Sequence, residues 1–179
     1  MKRSSIFDGV VKSEDSYTNL LRNLMLLNTP YCVALCDRLR PDGMSMGNAV
    51  PPEVRTQVPL ATESGKSHGR ADLLIESNSA VLLVEVKTDL YCGLTEYQDF
   101  GLDEAGKPKI NGYLQYLEFR KNQGDSVGLC LLAPRSWKYR GLIEQQLERL
   151  KRLDIPAQPR TWEEVCRLTV NGKFGRLGL

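Results

Sequence analysis

The chain has 179 residues, of which 41% are hydrophobic and 26% charged. These values are typical of a folded globular protein and argue against a disordered or fibrous chain, and the length suits one domain over residues 1–179. The formal net charge of +2 is too small to indicate polyanion binding by itself, so any nucleic-acid surface must be a local patch.

The first part of the chain predicts two helices followed by a strand. Apolar residues recur at spacings of three and four from Ser13 to Leu27, with Ser13 as the N-cap. A second short helix is expected from Tyr31 to Leu39, before a loop rich in Gly and Pro. Val54 to Leu60 alternates as a strand does.

A β-hairpin follows, with arms from Ala71 to Glu76 and from Ala80 to Lys87. The second arm, AVLLVEVK, is almost continuously apolar, which is typical of a strand buried on both faces. Glu85 interrupts this apolar run. A buried carboxylate must be neutralised, paired or bound to a metal, because an isolated buried charge is very costly.

The rest of the chain alternates helices and strands. Thr88 to Ile110 is mostly polar and is expected to be an inserted loop. The patterns then predict a helix at Asn111–Asn122, a buried strand at Ser126–Ala133, a helix at about Tyr139–Leu153, a short edge strand around Ile155 and a final helix that begins with a Thr161–Glu164 capping box. The predicted fold class is α/β, with a central four- to five-stranded sheet flanked by helices.

The turn of the hairpin decides which side chains face each other. If Asn78 and Ser79 form a two-residue turn, Asp72 lies directly across from Glu85. Lys87, two residues beyond Glu85, then points to the same face at a distance of roughly 7 Å along the strand. A three-residue turn would instead place Asp72 opposite Val84.

Two facing carboxylates repel each other, and a divalent cation between them lets both stay ionised. Oxygen ligands suit Mg²⁺ or Mn²⁺, so Asp72 and Glu85 are the predicted metal ligands, with the Val86 carbonyl available as a further one. The Lys87 ammonium can hold the attacking oxygen and oppose the charge that develops on phosphorus. The alternative interpretation is a structural ion pair.

The segments GRADLLIE and LLVEVK resemble the D, spacer, E-x-K signature of the PD-(D/E)XK nuclease superfamily, with Ala71 in place of the proline. The resemblance implies a restriction-endonuclease-like fold with a mixed sheet, an Mg²⁺- or Mn²⁺-dependent phosphodiesterase activity and catalytic roles for Asp72, Glu85 and Lys87. It also implies a metal-shell glutamate on the first helix, for which Glu14 is the candidate. Helix capping explains Glu14 equally well.

The superfamily often uses an assisting glutamine after the E-x-K strand, and two positions compete for this role. Gln98 lies in LTEYQ, and Gln115 lies on the predicted helix with Phe119 a turn later. Gln115 is the slightly favoured candidate, although each glutamine also has an ordinary interpretation as a polar surface residue.

Basic and aromatic residues alternate in APRSWKYRG, which contains Arg135, Trp137, Lys138, Tyr139 and Arg140. The cations can bind phosphates and the rings can stack on bases, so this segment is the predicted nucleic-acid-binding surface. A solvated strand-to-helix connection is the alternative.

The expected function is therefore metal-dependent hydrolysis of DNA, in restriction, repair or defence against mobile elements. Alternatives are a non-catalytic nucleic-acid-binding module and a subunit of a larger complex, and a homodimer suits a duplex-cutting enzyme. Since no apolar run reaches the roughly 18 to 20 residues that a bilayer span needs, and five cysteines without a CxxC pair predict reduced thiols, a cytoplasmic location without membrane association is expected.

Overall fold

The computed structural model describes residues 13–27, 29–47, 51–62, 67–88 and 112–170. Within these ranges lie five helices, α1 (Glu14–Leu27), α2 (Thr29–Leu39), α3 (Gly112–Asn122), α4 (Arg140–Leu150) and α5 (Trp162–Val170). They also contain five strands, β1 (Glu53–Ala61), β2 (Ser67–Ser77), β3 (Ala80–Val86), β4 (Ser126–Ala133) and β5 (Ala157–Thr161).

The five strands form one mixed sheet in the order β1-β2-β3-β4-β5. The β1-β2 and β2-β3 pairs are antiparallel, and the β3-β4 and β4-β5 pairs are parallel. Every residue of β3 is buried, because this strand is central in the sheet and covered on both faces. The prediction of an α/β fold with a mixed, helix-flanked sheet is confirmed.

Helices cover the sheet as two layers, each with its own apolar core. Between the sheet and the α1, α2 and α5 layer lie mainly aliphatic side chains, including Leu21, Met25, Leu35, Leu39, Leu73, Leu82, Val84 and Val165. The α3 and α4 layer packs on the other face through a second set, including Leu74, Leu83, Tyr113, Leu117, Leu129, Ile143 and Leu147. The sheet is therefore shielded from water on both sides.

Local sequence signals account for the ends of several elements. The Ser13 hydroxyl accepts the amide of Ser16 at 3.2 Å, as expected of the N-cap of α1. At the start of α5, the Thr161 hydroxyl accepts the amide of Glu164 at 3.2 Å, and the Glu164 carboxylate accepts the amide of Thr161 at 2.7 Å. This reciprocal pair confirms the predicted capping box.

Some predicted segments differ from the structure or lie outside it. The edge strand expected around Ile155 is β5, which begins two residues later, at Ala157, and Ile155 itself is buried in the core under α3 and α4. The helix expected to run to Leu153 ends as an α-helix at Leu150, and Lys151–Leu153 forms a short 3₁₀ turn that ends at Asp154, whose φ is 54°. Of the predicted loop from Thr88 to Ile110, residues 89–110 lie outside the described residues.

In strands β1 and β2, the regular alternation of side chains between the two sheet faces is interrupted at one point in each strand. Val54 packs in the α1 and α2 layer, whereas Val58 packs against the opposite core. Ala71 and Leu73 likewise belong to opposite cores, although residues two apart on a regular strand share a face.

Gln57 and Asp72 lie at the two points where this alternation is interrupted. They fall between the paired positions Thr56–Leu73 and Val58–Ala71. Gln57 has a φ of 53°, a left-handed conformation that is uncommon for a residue with a side chain and is concentrated at functional sites. This local distortion sets the direction of the Asp72 side chain.

Candidate active site

Glu85 and Lys87 form a buried ion pair at the carboxyl end of the central strand. Lys87 Nζ lies 2.7 Å from Glu85 Oε1, and the two residues are only 3% and 2% exposed, respectively. Residues two apart on a strand point to the same side, which explains how both side chains meet. The E-x-K spacing thus produces a contact pair inside the protein.

Asp72 lies beside this pair and is held by two donors. Its Oδ2 accepts the backbone amide of Val86 at 2.8 Å, and its Oδ1 accepts Gln57 Nε2 at 3.2 Å. The hairpin pairs Ser77 with Ala80 and Leu73 with Val84, which confirms the predicted two-residue turn. Asp72 and Glu85 are the next two positions in this register. The ladder stops at Leu73, and the Asp72 carboxylate takes the place of a strand partner for Val86.

Glu14 approaches the cluster from the first turn of α1. Its Oε2 lies 4.0 Å from Lys87 Nζ, and its Oε1 accepts the amide of Thr88 at 3.4 Å. The Trp162 indole on α5 donates to the Lys87 carbonyl at 2.9 Å. The structure therefore gathers Glu14, Asp72, Glu85 and Lys87 at one end of β3.

Tyr113 on α3 completes the cluster, and sequence reasoning missed it. Its hydroxyl lies 2.6 Å from Glu85 Oε2 and 2.9 Å from the Arg70 carbonyl. Tyr113 is 1% exposed. In the sequence it belongs to an apolar helical stripe, which predicts packing, and nothing local indicates that its hydroxyl meets a carboxylate.

Of the two glutamine candidates, Gln115 lies within the described residues and does not join the cluster. Gln115 is half-buried on α3, and a rotation of about 100° per residue puts it on the side of the helix away from Tyr113. Gln98 lies outside the described residues. An assisting glutamine stays a prediction.

Burial dominates the electrostatics of Glu85. Removal from water, followed by the negative charge of Asp72, raises the pKa of Glu85 to about 8, and Lys87 and Tyr113 oppose that rise. A raised pKa caused by burial and a like charge is typical of functional carboxyl groups, although structural ion pairs show it as well.

The cluster fits a divalent metal in the chemistry of its donors. Glu14, Asp72 and Glu85 offer the carboxylate oxygens that Mg²⁺ and Mn²⁺ prefer. As arranged, however, both oxygens of Glu85 contact Lys87 or Tyr113, and within the described ranges no three His, Cys, Asp or Glu residues are grouped as a ligand set. To hold an ion, Glu85 would have to turn one oxygen away from Lys87.

The predicted nucleic-acid-binding segment connects β4 to α4, and its residues differ in their exposure. Arg135 and Lys138 are exposed, and Lys138 Nζ lies 5.7 Å from the centroid of the Tyr139 ring. Arg140 Nε is paired with Glu144 at 2.9 Å, so its charge is partly neutralised.

Trp137 requires a correction. It is 3% exposed, belongs to the core under α3 and α4, and packs edge-on against Tyr139 at 5.7 Å. A ring with no open face cannot stack on a base. Within this segment, stacking is left to the half-buried Tyr139.

A cavity of about 870 Å³ lies between α4 and β5, apart from this cluster. Acidic side chains line it, among them Glu144, Glu148 and Asp154. None of the residues predicted from the sequence borders it. Negative groups repel phosphate, so we do not assign the substrate site to this cavity.

Comparisons with known proteins found no relative of this chain. No protein-family model, curated protein or solved structure matches it. The resemblance to the PD-(D/E)XK superfamily therefore rests on the residues described above. No helix within the described residues is long and apolar enough to cross a bilayer, and the four cysteines in those ranges, Cys32, Cys36, Cys130 and Cys166, are free thiols.

Proposed function

We propose that this chain is a metal-dependent nuclease of the PD-(D/E)XK type that hydrolyses phosphodiester bonds in DNA. The observation that carries the proposal is the position of Lys87 Nζ, 2.7 Å from Glu85 and 4.0 Å from Glu14, at the strand end where Asp72 is held. Two carboxylates approach this lysine, and Asp72 lies close enough to raise the pKa of Glu85, which exceeds what a structural ion pair requires. Grouping ionisable side chains at a buried strand end is costly, so a functional role is the better explanation.

Asp72, Glu85, Glu14 and the Val86 carbonyl are the groups that would hold Mg²⁺ or Mn²⁺. When bound, such an ion supplies the positive charge that activates water and neutralises phosphate oxygens. Asp72 is already oriented by Val86 and Gln57, and donors that fix a ligand in advance reduce the reorganisation needed on binding.

Lys87 and Tyr113 have different roles in the proposed reaction: Lys87 stabilises charge on the substrate, and Tyr113 positions Glu85. With a metal ion held by the carboxylates, the Lys87 ammonium would be the cation of this chain that stabilises charge developing on the phosphate oxygens. The Tyr113 hydroxyl, 2.6 Å from Glu85 Oε2, keeps the other side of that carboxyl group in place. Glu85 and Lys87 are buried, so the substrate approaches from the side of the half-buried Asp72 and Glu14.

Cleavage of plasmid and single-stranded DNA with Mg²⁺ or Mn²⁺, against an EDTA control, tests the proposal. The matched variants are Glu85→Gln, which keeps the shape of the side chain, and Glu118→Gln on α3, a half-buried glutamate. We expect the wild type and Glu118→Gln to cut DNA only with metal, and Glu85→Gln to lose the activity. Equal rates for all three proteins would overturn the assignment.

A second candidate function is a non-catalytic nucleic-acid-binding module. The occupied oxygens of Glu85 favour it, because Lys87 and Tyr113 already satisfy this carboxylate without a metal. For this candidate we expect DNA binding that is unchanged by EDTA and by Glu85→Gln, and no cleavage with either metal. If the chain is instead a subunit of a larger complex, we expect cleavage only after the partner protein is added.

A further inference from the structure

A second cavity, of about 320 Å³, lies between α1 and α5, and we call it the aromatic pocket. Its walls include Tyr17 and Trp162, whose ring centroids are 5.6 Å apart with planes inclined at 52°. Buried Leu21 and Val165 line it, and exposed Cys166 also borders it. The volume is within the range of small-ligand sites, at its lower end.

The aromatic pocket adjoins the carboxylate and lysine cluster. Thr88, which lines the pocket, donates its amide to Glu14 at 3.4 Å. The indole of Trp162 is bound to the Lys87 carbonyl at 2.9 Å, and Tyr17 follows Glu14 by three residues on α1, close to one helical turn. A ligand in the pocket therefore lies beside the groups that would act on a phosphodiester.

The chemistry of the pocket suits a nucleobase. Aromatic rings bind bases of any sequence, because every base presents a flat π-face. Glu163 is the charged residue among those that line the pocket, and a carboxylate can accept a hydrogen bond from the exocyclic amine of a base. Glu163 Oε2 also accepts the backbone amide of Arg135 at 3.3 Å, so an exposed residue whose side chain can pair with a phosphate is adjacent to Glu163.

We propose that the aromatic pocket binds one unstacked base of the nucleic acid, while a neighbouring phosphodiester lies at Glu14 and Lys87. This inference rests on the proposed nuclease function and specifies its substrate class. A base inside a duplex must first be unstacked and unpaired to enter such a pocket, at a free-energy cost. The substrate is therefore a single strand or an unpaired end of a duplex.

The test compares two oligonucleotides of equal length and charge, one with bases and one made entirely of abasic units. Binding is measured by fluorescence anisotropy in EDTA, so that cleavage cannot interfere. Cys166→Phe adds a ring at an exposed position that lines the pocket, and Leu20→Trp fills it from α1 as a second variant. Asn23→Phe is the control, because Asn23 is an exposed, uncharged residue of α1 that does not line the pocket.

We expect the wild type and Asn23→Phe to prefer the strand with bases by about tenfold or more, the size of one stacking contact. Both filled variants should lose this preference and bind the abasic strand as the wild type does. Lack of a preference in the wild type, or a preference that persists in both folded pocket variants, would overturn the inference. If the pocket instead binds an apolar peptide or a second copy of the chain, the wild type should show no preference for the strand with bases.

The same proteins, tested with Mg²⁺ or Mn²⁺, separate this inference from the proposed function. If the wild type cuts DNA without any preference for bases in the binding assay, the pocket assignment fails and the nuclease proposal stands. If the pocket variants abolish a preference for bases but the wild type cuts neither substrate, the nuclease proposal fails and the base-binding pocket stands.

Discussion

The hydroxyl of Tyr113 lies 2.6 Å from Glu85 Oε2, and both residues are almost completely buried. The same hydroxyl is 2.9 Å from the Arg70 carbonyl. A hydroxyl has one hydrogen to donate. With Glu85 ionised, Tyr113 donates to the carboxylate; with Glu85 protonated, Glu85 donates to Tyr113, which can then donate to Arg70. Tyr113 thus serves both protonation states of Glu85.

Replacing Tyr113 by phenylalanine removes a donor that favours ionised Glu85. We expect the pKa of Glu85 to rise further and the free energy of unfolding to fall by about 1 kcal/mol, with the larger loss at pH 9, where Glu85 is ionised. Urea unfolding at pH 5 and pH 9 measures this. Tyr116→Phe is the control, because its hydroxyl contacts Arg120 at 3.0 Å. Equal losses at both pH values for Tyr113→Phe would contradict the prediction.

The pH dependence of stability should carry the signature of Glu85. Its pKa is about 8 in the folded protein and has an ordinary value of 4.5, so the folded state binds more protons than the unfolded state between these values. Its contribution to stability is complete below pH 4.5 and is lost as the pH rises through 8.

We therefore expect the metal-free wild type to lose stability relative to Glu85→Gln between pH 5 and pH 9, by on the order of a few kcal/mol. Chemical unfolding across this range, with Glu118→Gln as the control, provides the measurement. A difference between the wild type and Glu85→Gln that does not vary with pH would show that Glu85 is ionised throughout.

Asp72→Asn should separate the charge of Asp72 from its structural role. The amide oxygen of asparagine can still accept the Val86 amide, and Gln57 Oε1, a buried atom without a hydrogen-bond partner within the described residues, can accept the new NH₂ group. We expect little change in melting temperature, but metal affinity and cleavage should fall together, because an anionic ligand is lost.

Calorimetric metal titration and a cleavage time course check the Asp72→Asn variant. Asp42→Asn, at an exposed position beside the cavity of α4 and β5, makes the same chemical change away from the cluster and should have no effect. Normal metal affinity in Asp72→Asn would exclude Asp72 from the metal site.

Lys87→Ala should reduce cleavage by about a hundredfold or more, because it removes electrostatic stabilisation of the transition state. It should also weaken metal binding at neutral pH, since Lys87 holds down the pKa of Glu85. Raising the pH should restore metal binding without restoring cleavage. DNA affinity should change only modestly, with the salt slope lowered by about one at most.

Cleavage and metal titration at pH 7 and pH 9 test the Lys87 prediction, with Lys121→Ala as the control. Lys121 is paired with Asp154 at 2.9 Å on the surface, so its loss should leave both measurements unchanged. If Lys87→Ala cleaves at the wild-type rate, Glu85 and Lys87 form only a structural ion pair.

Short-range patterns in the sequence determine much of this protein. The run from Ala80 to Lys87 predicts a central strand, and Asn78 and Ser79 predict the turn that brings Asp72 level with Glu85 in the register. These features depend on neighbouring residues, on strand alternation and on turn length. The same is true of the capping box of Thr161 and Glu164.

Only the tertiary structure decides which side chains complete the site. Tyr113 is 28 residues from Glu85 and meets it because α3 packs across the sheet. Gln57 reaches Asp72 through a left-handed backbone that its own sequence does not favour. Trp137 is in the core rather than on the surface. Local periodicity describes which face of an element is apolar, but a hydroxyl or amide at the end of a side chain finds its partner only when distant elements pack together.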